Sequence, residues 1–162
     1  MRKLILGLVI LFGIAIMPST AFAQVKTIPT VSDEIIALVK AQWAANIADP
    51  SNVAEAFKNI SDDYTEFNGA YSTRIDGKVT SMKFAEAGAK DPSHTVVAEM
   101  LNPKVQVYGD VAILSYNFAG MSKDKDGVTE PVRAKSTRVY AKQDGKWKLV
   151  HANFAVDPQA IK

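Results

Sequence analysis

Cysteine is absent from the 162 residues, which removes disulfides and thiolate metal sites together. Histidine is scarce: His94 and His151 are the only two, and neither has carboxylates at ligand-like spacing, so no metal site is expected. Charge of one sign is also missing. Arg2 and Lys3 are the only charged residues among the first 23, and beyond them 17 basic residues face 17 acidic ones. So even a balance argues against a nucleic-acid partner. There is no Gly-x-Ser-x-Gly, no phosphate loop and no dinucleotide fingerprint, which leaves hydrolase and nucleotide-dependent chemistry without support, and no cofactor is implied. Asp124-Lys125-Asp126-Gly127 holds a fragment of a calcium-loop pattern without its other ligands and reads as a solvated turn.

Long apolar runs occur in one place only. Leu4 to Met17 is a 14-residue run behind Arg2 and Lys3, followed by a Pro18-Ser19-Thr20 break and Ala21-Phe22-Ala23. This is the layout of a secretory signal with a small-x-small cleavage site. The run is short of the ~20 residues that a membrane-crossing helix needs. Residues 1–23 are therefore expected to be a signal peptide that sends the chain to a periplasm or the exterior, with no membrane attachment after its removal. The sequon Asn59-Ile60-Ser61 has meaning only in a eukaryotic secretory route. The remaining 139 residues, with hydrophobic residues at 48% and charged ones at 22% of the whole chain, suffice for one core.

Residues 24–31 read as an extended leader. A first helix is expected from Ser32, capped by its own hydroxyl, with Asp33 and Glu34 on the positive end of the dipole. Ile36, Val39, Trp43 and Ile47 form its apolar face. A second helix follows Asp49-Pro50 with a Val53, Phe57, Ile60 stripe. Tyr64, Thr65 and Phe67 suggest a short strand, and Met82 to Ala89 a third helix. Strands are expected over 95–101, 105–108, 111–118, 133–142 and 146–156, with Gly109-Asp110 and Asp144-Gly145 as hairpin turns and 120–131 as a long polar tip. Helices first and antiparallel strands afterwards give an α+β class, with helices on one face of a curved sheet. No repeat or second domain is visible. The single domain is placed at 32–158, with a tail over 159–162.

Four strings go beyond composition: Asp33-Glu34-Ile35-Ile36, Leu101-Asn102-Pro103-Lys104-Val105-Gln106-Val107-Tyr108-Gly109-Asp110, and Ser136-Thr137-Arg138-Val139-Tyr140 ahead of Asp144-Gly145-Lys146-Trp147-Lys148-Leu149-Val150-His151. In order and spacing the chain resembles the association domain of calcium/calmodulin-dependent protein kinase II. More broadly it resembles the SnoaL-like and nuclear transport factor 2-like superfamily. The resemblance runs from Ser32 to Val156. It implies a cone-shaped, cystatin-like α+β fold in which helices cap a bent antiparallel sheet around a pocket, with homodimerisation through the outer sheet face. No kinase domain fits, so this would be a stand-alone exported member. The superfamily holds isomerases, cyclases, dehydratases, transport factors and assembly hubs, so no single activity is implied. Of the arginines in the kinase pocket Arg138 is retained, while two other positions fall on Phe118 and Phe154, and the second of two family histidines is replaced by Asn153.

Strand alternation assigns faces independently. Ala112, Leu114, Tyr116 and Phe118 share one face, as do Ser136, Arg138 and Tyr140, and Val150, Ala152 and Phe154. If Arg138 points inward, these sets line the concavity, and Trp147, Leu149, His151 and Asn153 form the dimer interface unless a bulge shifts the register. Arg138 among Tyr116, Phe118, Tyr140 and Phe154, with Tyr64 at the mouth, then holds the anionic or carbonyl group of a small ligand. The alternatives are an internal ion pair with Glu66 or Glu99, or exposure at the sheet rim. Glu99 and Glu66 are the candidate proton movers of a cofactor-free isomerase, cyclase or dehydratase. A third reading is an oligomerisation hub that binds partners through the Trp147, Leu149, His151 face.

Overall fold

The computed structural model describes residues 29–157. The signal segment over 1–23, the leader up to residue 28 and the tail over 159–162 lie outside them. The class is the expected α+β. Helix α1 spans Val31–Ala48, a single-turn α2 spans Val53–Ala56, and α3 spans Lys78–Gly88. The strands are β1 (Ile60–Asn68), β2 (Ile75–Asp76), β3 (His94–Tyr108), β4 (Val111–Lys123), β5 (Thr129–Gln143) and β6 (Lys146–Val156). They form one six-stranded sheet in the order β2-β1-β6-β5-β4-β3, in which β1 and β6 run parallel and the other neighbours antiparallel. No helix among the described residues is long and apolar enough to cross a membrane.

The start of α1 departs from expectation. Thr30, not Ser32, is the cap: its hydroxyl accepts from the Asp33 amide at 3.2 Å while the Asp33 carboxylate accepts from the Thr30 amide at 2.9 Å. This reciprocal box satisfies two end-group donors and places Ile35 and Val39 fully inside the core. Residues one turn further on, Gln42 and Trp43, then reach the sheet.

The two strands expected over 95–101 and 105–108 are one, bent at a register shift between Leu101 and Lys104. Asn102 sits there at φ 50, a left-handed conformation that asparagine tolerates better than most residues. Pro103 follows on the outermost strand of the sheet, where its missing donor disrupts no central ladder. The Asp144-Gly145 turn is as expected, with both residues at positive φ, 49 and 75. The long tip is shorter than expected, because β4 and β5 extend to Lys123 and from Thr129.

The largest correction concerns β6. Val139 pairs with His151 but Tyr140 pairs with Leu149, so Val150 is an extra residue in the strand. A bulge of this kind moves everything before it to the other face. Trp147, 8% exposed, and Leu149 therefore belong to the core with Ala152, and they are not outer-face residues. His151 and Asn153 keep the outward side, where the His151 ring shares a 2.8 Å hydrogen bond with the Thr65 hydroxyl and meets Phe67 edge-on.

Candidate functional site

Arg138 stands in the middle of β5, flanked by β4 and β6, and its side chain points into the concave face. It is 4% exposed. Its Nε donates to the Tyr116 hydroxyl at 3.0 Å and its Nη1 to Oε1 of Gln42 at 2.6 Å. The Phe154 ring lies 5.3 Å from the guanidinium carbon and the Tyr116 ring 6.0 Å. These hydrogen-bonding partners are neutral. The ion pairs among the described residues are Lys58–Glu55, Arg74–Asp76 and Lys125–Asp126, and neither Glu66 nor Glu99 neutralises Arg138.

Arg138 borders an open cavity of about 280 Å³ among α1, α3, β1 and the middle of the sheet. Phe154 and Glu66 line the same cavity, together with Gln42 and Asn46 from α1, Asn68 from β1 and Phe84 from α3. Glu66 is fixed by two donors: Tyr64 gives its hydroxyl hydrogen to Oε2 at 2.8 Å, and Asn68 Nδ2 donates to Oε1 at 2.9 Å. At the mouth the half-exposed rings of Tyr71 and Phe84 meet at 4.6 Å.

The proposed site residues separate into three groups. Arg138, Phe154 and Glu66 meet at the cavity. Tyr116 supports Arg138 from β4, and Tyr64 and Tyr140 are buried beneath the site at 2% exposure each, so Tyr64 is not a mouth residue. Phe118 turns to the edge of Trp43, with centroids 5.4 Å apart. Glu99 is exposed, opposite Ala119 on β3; it borders a separate groove between α1 and β3 with Lys40 and Met100 and is not among the residues that line the Arg138 cavity. Gln42, Asn46, Asn68 and Phe84 were not anticipated. The one available signal was Gln42, a polar residue beside the Val39–Trp43 apolar stripe.

The titration of the site follows from burial. Burial disfavours the Arg138 charge, the surrounding Tyr116, Tyr140 and Tyr64 oxygens favour it, and the net direction is upward; guanidinium remains a cation throughout the physiological range. Burial, with the Glu66 carboxylate second, pushes Tyr64 far above the ordinary phenol value, and burial pushes Tyr140 up against the pull of Arg138. Phenols raised in the folded state contribute stability that is complete below about pH 10 and lost as pH rises beyond it, because the unfolded chain ionises first. Melting midpoints should accordingly fall between about pH 9 and about pH 11, and Tyr64→Phe should make that fall shallower. An equally steep fall in the variant would contradict the assignment.

Known proteins share this fold. Residues 32–157 match the calcium/calmodulin dependent protein kinase II association domain family. The calcium/calmodulin-dependent protein kinase type II subunit delta of Oryctolagus cuniculus is 34% identical over 68 residues, 41% of this chain and 12% of the kinase. The chain thus aligns with only about an eighth of that relative's length. The kinase II hub homology domain of Chlamydomonas reinhardtii superposes with a TM-score of 0.66 at 22% identity, over 80% of this chain and 100% of that one. A nuclear transport factor 2-like superfamily protein from Salmonella enterica does so at 0.66 and 18% identity, over 79% and 92%. At such identities these structures attest the fold.

Proposed function

Because this chain belongs to the calcium/calmodulin-dependent protein kinase II association domain family, we propose that it is an exported, self-associating domain whose cup holds a small ligand by an anionic group, with Arg138 as the anchor. One observation carries this reading: a guanidinium at 4% exposure borders a cavity while its hydrogen bonds go to neutral groups. Withdrawing a cation from water costs several kcal/mol unless an anion offsets it. A ligand carboxylate would do so bidentately, with Phe154 stacked alongside.

Self-association is supported by the outer sheet face, where Phe67 and Leu101 are exposed at 49% and 39% and Ile113 and Val139 are partly exposed. Such apolar surface suits a second copy of the same sheet. Export rests on the first 23 residues.

Calorimetric titration tests the ligand reading. Short alkanoates, acetate to pentanoate, should bind with Kd of about 1 mM or tighter, roughly 4 kcal/mol, and the matching alcohols should give no heat of binding. Equal binding of acid and alcohol, or none by either, would refute the anchor.

A further inference from the structure

An asparagine side chain is open to attack by the backbone nitrogen that follows it when that nitrogen carries a hydrogen and is not crowded. Of the seven asparagines in the chain, six are followed by Ile47, Val53, Ile60, Pro103, Phe118 or Phe154. The branched and aromatic side chains crowd the next nitrogen, and proline has no hydrogen on it. Asn68 alone precedes a glycine, Gly69.

The pair sits where the chain leaves the sheet. Asn68 is the last residue of β1 and half-buried, while Gly69 and Ala70 are exposed to water. The carboxamide is held at both ends: Nδ2 donates to Oε1 of Glu66 at 2.9 Å, and Oδ1 accepts from the Ala70 amide at 3.0 Å. Its nitrogen is therefore drawn toward the preceding residues and its oxygen toward the following ones. A donor on Oδ1 withdraws electron density from Cγ and stabilises the negative charge that develops on that oxygen when a nucleophile adds.

We propose that Asn68 is a self-modifying site, at which the Gly69 backbone nitrogen displaces the side-chain nitrogen as ammonia and water then leaves a carboxylate on the cavity wall. The bond from the Gly69 nitrogen to Cγ forms, the bond from Cγ to Nδ2 breaks, and the hydrogen lost by Gly69 departs in the ammonia. The cyclic imide takes up one water at either carbonyl, which gives aspartate or its β-linked isomer. Nothing is oxidised or reduced. Asn68 lines the same cavity as Glu66 and Arg138, so the product removes the donor to Glu66 and sets a second carboxylate beside the first, where like charges repel. The β-linked isomer also lengthens the backbone at Asn68, which pairs with Phe154 in the β1–β6 ladder.

Incubation of the folded protein at mildly alkaline pH, followed by tryptic mass spectrometry, tests the site. The peptide from Asn59 to Arg74 should gain the mass difference between a carboxylic acid and an amide at Asn68, faster as pH rises, with the other asparagines intact. Gly69→Ala should slow this at least about tenfold, because the added methyl crowds the nitrogen. The substitution is compatible with the fold, since Gly69 has no positive φ and nothing lies within 4 Å of where its Cβ would stand. Converted protein, separated by anion exchange, should melt at a lower temperature than unconverted protein. Conversion confined to the urea-unfolded chain, or equally fast in Gly69→Ala, would overturn the site. Equal melting of the two fractions would overturn its effect on the cavity wall.

Discussion

Arg138→Met is expected to weaken alkanoate binding by about a hundredfold or more, roughly 3 kcal/mol, while leaving the fold about as stable as before. The two halves of this result have one origin. A buried guanidinium without an anionic partner contributes little to folding, because its desolvation offsets its hydrogen bonds, and replacement by an apolar side chain of similar length is often neutral or stabilising. The substitution does cost the bonds to Tyr116 and Gln42, which leaves two polar groups short of a partner at about 1 kcal/mol each. Removing the charge counters that loss. Arg138→Lys should keep part of the affinity, since the charge remains but the planar fork that grips a carboxylate does not. Urea denaturation and calorimetry on the same samples separate the two halves. A variant that unfolds readily yet binds as before would assign Arg138 to structure alone.

Trp147→Ala should lower stability by about 3–5 kcal/mol, the usual range for deleting a large aromatic from a core, without altering the assembly state of the molecules that stay folded. The indole is 8% exposed within the main core and has Lys142 Nζ 5.6 Å from its centroid. Simple alternation along β6 would make it an interface residue, and its loss would then dissociate copies without unfolding them. Denaturation followed by far-ultraviolet circular dichroism, together with sedimentation velocity, distinguishes these outcomes. Dissociation with little change in unfolding free energy would restore the interface assignment.

The same residue marks the boundary of what could be read from the chain. The strands themselves were legible, since alternation from Ala112 to Phe118 and the Asp144-Gly145 turn are local signals, and the inward direction of Arg138 followed from the resemblance and the alternation together. The Val150 bulge was not legible, because an unpaired residue is defined by its partner strand β5 and leaves no mark on β6 alone. The cap at Thr30 was missed for a different reason: Ser32 offers the same hydroxyl two residues later, and only the reciprocal bond with Asp33 decides between them. The cavity was half legible. Arg138, Phe154 and Glu66 were singled out, but Gln42 lies 96 residues from the guanidinium it binds, a relation set by how α1 crosses the sheet and absent from any short window.

The account turns on the Arg138 guanidinium as a buried cation that lacks an anion and faces a cavity. Nitrogen-15 NMR of the arginine side chains during pentanoate titration observes that group directly. The chain has four arginines, Arg2, Arg74, Arg133 and Arg138, and Arg74 and Arg133 are exposed, so the few resonances are simple to assign. The Arg138 Nε–H should exchange slowly with water and move progressively to saturation, while Arg74 and Arg133 stay still. An Arg138 resonance that holds its position while the exposed arginines shift would contradict the account.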